Sequence, residues 1–175
     1  MRRLTPADYI RQPWKNGKGE TVELARADRD GAMLWRLSMA TVTEDGPFSI
    51  FPGIERNLTV LDGPGFRLVG DGIDLPCLPL SPVAFPGDVA IGAVETGGQV
   101  STDFNVMSAR GLPLPQVDVV TVAQNLPAAD LVAVFALGEA VVNGQAITRH
   151  DMILAEATCH IAPTDPVLIV RLFLR

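Results

Sequence analysis

The sequence predicts an all-β protein of the sandwich or barrel class. Three observations carry that expectation: apolar or alternating runs of strand length, 16 glycines and 14 prolines that fall between those runs, and an almost complete lack of helical periodicity. In chain order, "TPADYI" offers one short helical turn, with Thr5 as cap and Pro6 in the first helical position. "TVELARA" and "MLWRLSMATV" follow as strands rich in β-favouring residues. Next come "FSIF", "RNLTVLD", "FRLVG", "VAFP", "DVAIGAV" and "DFNVMSARG", broken by turns such as "GDG". The last third reads as "QVDVVTVA", "LVAVFAL", "EAVVNG", "QAITR", "DMILAE" and "VLIVRLFLR", with "VNGQ" as a tight hairpin turn.

An internal repeat organises these strands. "LTVLDGPGFRLVGDG" and "VAVFALGEAVVNGQ" share one plan of apolar strand, glycine turn, apolar strand and polar-Gly turn. Each is followed about thirty residues on by a closing strand, so two fused small β-barrels are the economical reading. The stiff, proline-bearing "RGLPLPQ" marks the boundary, giving expected units 1–110 and 111–175.

Composition narrows the function. The 175 residues suffice to bury a core without disulfides, and Cys77 and Cys159 match no zinc or CxxC spacing, which suits idle thiols in a reducing, cytoplasmic setting. A net charge of −6 disfavours nucleic acid as partner, because phosphate binding needs a basic face. No run approaches the 18 apolar residues of a membrane span, and "MRRLTPADYI" lacks the apolar core of a secretory signal. His150 and His160 stand ten apart without an acidic or histidine partner at ligand spacing, so no metal motif exists; nucleophile-elbow and phosphate-loop motifs are missing too. What is left is a small molecule or another protein.

The one dense cluster of chemistry is "WKNGKGET". It holds Lys15 and Lys18, the sole lysines among 14 basic residues, beside Trp14, Asn16, Gly17, Gly19, Glu20 and Thr21. It reads either as an exposed hairpin turn or as a ligand loop, with Trp14 as an apolar wall, glycine amides as donors and a lysine as a mobile positive charge. Strand alternation adds polar faces. Arg36 shares a face with Leu34 and Ser38, opposite Trp35, Leu37 and Met39, and either snorkels outward or enters a lumen. Asp103 and Asn105 share a face opposite Phe104 and Val106. Pro52-Gly53 delivers Glu55 and Arg56 to the start of a strand, where only one of the two can point inward. Arg56 is the better lumen candidate, since its fork holds a carboxylate through two parallel bonds; a surface ion pair is the alternative.

"RQPWKNGKGETVELA", "FSIFPGIERNLTVLDGPGFRL", "FPGD" at Phe85 to Asp88 and "DFNVMSARG" at Asp103 to Gly111 together resemble the HutD/Ves family of bacterial proteins. These blocks cover the first two thirds of the chain; Lys18 stands where the family pattern has a second glycine. The resemblance implies a double-stranded β-helix, the cupin or RmlC-like jelly roll, with two small barrels fused as a bicupin. Cupins usually hold a metal through three histidines and a carboxylate. Those histidines are missing here, so a barrel with neither metal nor other cofactor is expected. The HutD branch is associated with histidine utilization, whose intermediates include urocanate and formylglutamate, and the Ves branch with stress responses. The expected ligand site comprises Trp14, Lys15, Asn16, Gly17, Gly19, Thr21, Arg36, Glu55, Arg56, Asp103 and Asn105, binding a small carboxylate; a homodimer is compatible with the family. An accessory binding protein is favoured over an enzyme. The alternative is a cofactor-free isomerase or hydrolase with Asp103, Glu20 or Glu55 as general base.

Overall fold

Runs of β-favouring residues cut by glycine and proline become short antiparallel strands. The computed structural model describes residues 1–15, 17 and 19–175. By its contacts the chain divides into two units, Ile10–Gly111, and Leu112–Arg175 joined by Met1–Tyr9. The first strand, β1 (Arg2–Leu4), is followed by a single 3-10 turn over Pro6–Asp8. Asp8 there accepts hydrogen bonds from both the amide and the hydroxyl of Thr5, each at 2.8 Å.

The unit Ile10–Gly111 contains β2 (Ile10–Pro13), β3 (Glu20–Arg29), β4 (Ala32–Val42), β5 (Gly46–Pro47) and β6 (Ile54–Asp62). It continues with β7 (Phe66–Gly70), β8 (Ile73–Cys77), β9 (Val83–Pro86), β10 (Gly92–Val94) and β11 (Ser101–Ala109). A six-stranded sheet runs in the order β2-β3-β4-β11-β6-β9, and a four-stranded sheet in the order β5-β10-β7-β8. Leu58 and Val60 of β6 pack with Val42 from the first sheet and with Phe66, Leu68 and Ala93 from the second, so one end of this barrel is apolar and filled.

The other unit contains β12 (Gln116–Val120), β13 (Gln124–Leu126), β14 (Leu131–Ala136) and β15 (Ala140–Val142). Then follow β16 (Gln145–Ile147), β17 (Met152–Ala155), β18 (Cys159–Pro163) and β19 (Val167–Leu172). Its sheets run β1-β17-β14-β19-β12 and β13-β18-β15-β16. Alternate residues Val132, Val134 and Ala136 of β14 and Val167 and Ile169 of β19 meet Val142, Ile147 and Ile161 in one buried cluster. Side chains fill this interior.

Two sequence expectations differ from these elements. "QVDVVTVA" is strand only over its first five residues, β12, and the next strand, β13, starts just beyond it at Gln124 in a different sheet. Residues 1–9, expected with the first barrel, pair instead with the C-terminal unit. Arg2 to Leu4 lie opposite Leu154 to Met152, the Arg3 guanidinium donates to Asp151 at 2.7 Å, and the Tyr9 hydroxyl donates to the His150 carbonyl at 2.6 Å. The reason is edge completion: β17 has an open side, and β1 satisfies its backbone groups.

The filled end of the first barrel has a measurable consequence. Leu58 is fully buried, so Leu58→Ala should cost about 3 kcal/mol of stability in urea titrations, with fluorescence following Trp35.

Candidate functional site

The register of three neighbouring strands builds the polar end of the first barrel. β11 lies between β4 and β6, and cross-strand partners set three rows: Arg36, Met107 and Arg56; Ser38, Asn105 and Leu58; Ala40, Asp103 and Val60. Because alternate residues share a face, both arginines, Asp103 and Asn105 are presented on one side of the sheet. They line a cavity of about 410 Å³, together with Trp14 and Lys15 from the β2–β3 turn, Thr21 from the start of β3, and Phe48 and Phe51 from the β5–β6 segment.

Arg56 is the buried cation of this wall, with 6% of its surface exposed. Its guanidinium carbon lies 5.4 Å from the ring centres of Phe48 and Phe51 and 5.1 Å from that of Phe85, close enough for the electron-rich faces to attract the cation. Nη2 donates to Asn105 Oδ1 at 2.7 Å and Nη1 to the Ser49 carbonyl at 3.3 Å; Nε is buried and has no hydrogen-bond partner among the described residues. Burial lowers its pKa to about 10, an effect that Asp103 opposes and Arg36 reinforces. The bare Cα of Gly87 in "FPGD" lets the arginine stem pass, since a Cβ there would stand 3.2 Å from Arg56 Cγ and 2.7 Å from the Ile54 carbonyl.

Asp103 is 1% exposed and accepts from Asn105 Nδ2 at 2.5 Å. Asn105 thus stands between cation and acid, its carbonyl toward Arg56 and its amide toward Asp103. Desolvation pushes the Asp103 carboxyl up to about 7, against the smaller opposing pulls of Arg56 and of the Asn105 hydrogen bond. Arg36 is bound through Nε to Glu23 Oε2 at 2.8 Å, both largely buried. Its charge is therefore already matched, whereas the exposed Lys15 at the rim is not held in this way.

The sequence-designated loop packs for its own reasons. Trp14 Nε1 donates to Thr21 Oγ1 at 2.9 Å, and backbone bonds from Trp14 to Gly19 and from Gly17 to Trp14 close the turn. A Cβ on Gly19 would lie 3.0 Å from the Trp14 ring, so this glycine seats the indole rather than opening the backbone to a ligand. Gly17 is exposed, while Asn16 and Lys18 lie outside the described residues. Glu55 does not line the cavity. Its neighbour Arg56 takes the inward position, and Glu55 accepts from Arg110 Nε at 2.6 Å, while the same guanidinium grips Asp88 at 2.6 and 2.9 Å. Glu20 likewise pairs with Arg11 on the surface. Of the three candidate bases, only Asp103 faces the cavity. Sequence reasoning missed Phe48, Phe51 and Met107; the aromatic spacing in "PFSIFPG" was the available signal for the first two.

A cupin metal does not fit this donor set. The lining holds two guanidiniums, one ammonium and a single carboxyl, and no imidazole. Among the described residues no group of three or more His, Cys, Asp or Glu side chains could hold an ion. Both cysteines are free and buried, and burial raises Cys77 to about 12, far from a reactive thiolate. No helix among the described residues is long and apolar enough to cross a membrane.

Paired antiparallel sheets around one polar and one filled interior define an all-β, cupin-like fold. The chain belongs to the HutD family, whose model matches residues 6–168. A Pseudomonas putida protein described as an uncharacterized 21.2 kDa protein in the hutC 3′ region is 43% identical over 109 residues. That match takes in 61% of this chain and 57% of the relative's length. The structure of HutD from Pseudomonas fluorescens SBW25, in a formate condition, superposes with a TM-score of 0.89 at 31% identity, covering 99% of this chain and 98% of that one. A conserved protein of unknown function from Pseudomonas aeruginosa PAO1 gives 0.84 at 33% identity, covering 98% of each chain.

The raised Asp103 carboxyl fixes the sign of a pH effect. Between the ordinary carboxylate range near 4 and about 7, the folded state keeps a proton that the unfolded chain has lost. Stability therefore falls as pH rises through that window and levels off above it. Urea titrations of wild type and Asp103→Asn should diverge by roughly 2 to 3 kcal/mol between pH 5 and pH 8, the variant being the less pH-dependent.

Proposed function

We propose that this chain binds a small acidic metabolite in its first barrel and serves a regulatory or accessory role in histidine utilization. Histidine-degradation intermediates such as formylglutamate or urocanate are the candidate ligands. The observation that carries this reading is Arg56: a buried guanidinium on an aromatic bed, with one donor unpartnered, inside a cavity large enough for a metabolite. A carboxylate is the group that uses such a fork. The relatives support the pathway, since one is a HutD protein and another is named for its place beside hutC.

Charge placement refines the pose. With Arg36 engaged by Glu23, the first carboxylate goes to Arg56, and a second, where the ligand has one, goes to Lys15 at the rim. Trp14 supplies the apolar wall for the carbon skeleton or ring between them.

Asp103 favours one alternative, a cofactor-free isomerase or hydrolase of a small carboxylate, because a cavity-facing carboxyl with its pKa near 7 is suited to general-base work. Product formation at saturating acid separates the two readings, and the binding role requires that none be found.

Binding itself is tested by thermal shift and calorimetry with formylglutamate, urocanate, glutamate and histidine. A ligand at a hundred times its Kd adds about 2.7 kcal/mol of stability. Arg56→Gln should weaken binding about 100-fold, as removing one partner of a buried charge pair costs about 3 kcal/mol. Unchanged affinity in Arg56→Gln, or no shift with any of these acids, would overturn the reading.

A further inference from the structure

The wall beside Arg56 contains more than a carboxylate receptor. Asp103 and Asn105 stand two residues apart on the same face of β11, and the single carboxamide of Asn105 spans from the guanidinium to the acid. Its oxygen meets the cation and its N–H meets the carboxyl. Asp103 is the one carboxyl among the cavity-lining residues, and no cation lies at salt-bridge distance from it among the described residues. A ligand anchored on Arg56 therefore places its next atoms beside an acid that accepts from Asn105 and whose carboxylate can accept a further donor.

We propose that Asp103 is a specificity-determining residue of this site, selecting carboxylates that carry an N–H donor one or two bonds from the anchored group and rejecting isosteres that present an oxygen lone pair there. The inference rests on the carboxylate-binding reading above and deepens it. The physical basis is the asymmetry of buried polar contacts. An ionised carboxyl facing an N–H gains a charge-assisted hydrogen bond, whereas the same carboxyl facing a bare oxygen meets repulsion without relief from water. Sites that read a donor in this way discriminate far more strongly than apolar pockets that read size.

The selection depends on the charge state of Asp103. The titratable groups around it are Arg56 on β6, Arg36 on β4 with its Glu23 partner on β3, Lys15 at the rim and Cys77 on β8. Burial pushes Asp103 up to about 7, while it brings Arg56 down only to about 10 and raises Cys77 to about 12. Once protonated, Asp103 becomes a donor and accepts the oxygen isostere, so selectivity belongs to the ionised form.

The probes are N-formylglutamate and 2-formyloxyglutarate, identical except that an ester oxygen replaces the amide N–H. Calorimetric titrations on the full chain at pH 8 should show the amide bound at least 10-fold more tightly. The ratio should shrink to within about threefold in Asp103→Asn, whose side-chain amide can donate to the ester. It should also shrink in the wild type at pH 5.5, which needs no mutation and so guards against a folding defect. Equal affinities for the two probes at pH 8, or a ratio unmoved both by Asp103→Asn and by the change of pH, would overturn the selection and leave carboxylate binding intact. Failure of both probes to bind wild type at either pH would overturn the selection together with the binding reading beneath it.

Discussion

Holding one guanidinium out of water is the constraint from which the rest of the first barrel follows. A bare buried cation would cost several kcal/mol, and Arg56 is kept charged by neighbours drawn from three separate stretches of chain. Phe48, Phe51 and the Ser49 carbonyl come from the β5–β6 segment, Phe85 from β9 and Asn105 from β11. Gly87 must be bare for the arginine stem to pass. The "FPGIER", "FPGD" and "SARG" segments are then tied together outside the cavity, where Arg110 holds Glu55 and Asp88 and its backbone amide donates to the Gly53 carbonyl at 2.7 Å. Those charges are exposed and contribute little individually; their value lies in fixing the turn from which Arg56 enters the barrel.

The two units show how much of this is written in the inward positions of otherwise similar strands. In the first, the three rows across β4, β11 and β6 carry Arg, Met, Arg; then Ser, Asn, Leu; then Ala, Asp, Val. In the second, the corresponding kind of interior is lined by Val132, Val134, Ala136, Ile153, Val167 and Ile169, and their volume fills it. Backbone architecture permits a cavity in either. A few polar substitutions at alternate positions decide which one has it, because a charged lumen cannot collapse onto itself as an apolar one does.

Much of this was legible from alternation alone, and the failures are as instructive. A period of two separates Arg36 from Trp35, Arg56 from Glu55 and Asp103 from Phe104, since neighbours on a strand cannot share a face. It does not say which face is inside. Nor could it show that Arg36 is matched by Glu23, a partner on the neighbouring strand that stands opposite Ser38 and reaches Arg36 diagonally, beside the register shift between Glu23 and Ala25. The glycines of "NGKG" read as room for a ligand, yet Gly19 is spoken for by the Trp14 ring, a contact seven residues of sequence pattern do not reveal. The first nine residues went to the other unit for want of any local signal. Edge pairing is a property of the partner strand's open side, not of "RRL" itself.

The same register bears on the choice between the two proposed roles, recognition and turnover. A general base needs a lone pair aimed at the proton it removes, and the Asp103 carboxyl already receives a 2.5 Å bond from Asn105. Asn105 is held in turn by Arg56 at 2.7 Å, so freeing the acid would also strip the cation of its best acceptor. A ligand carboxylate can take over that acceptor role at Arg56. The three groups therefore form a hydrogen-bonded chain from Arg56 through Asn105 to Asp103, and in the proposed binding role an acid with an N–H would extend that chain without breaking it. On an acidic chain of net charge −6, Arg36, Arg56 and Lys15 make this wall a local concentration of positive charge, which is what the proposed binding of an acid requires.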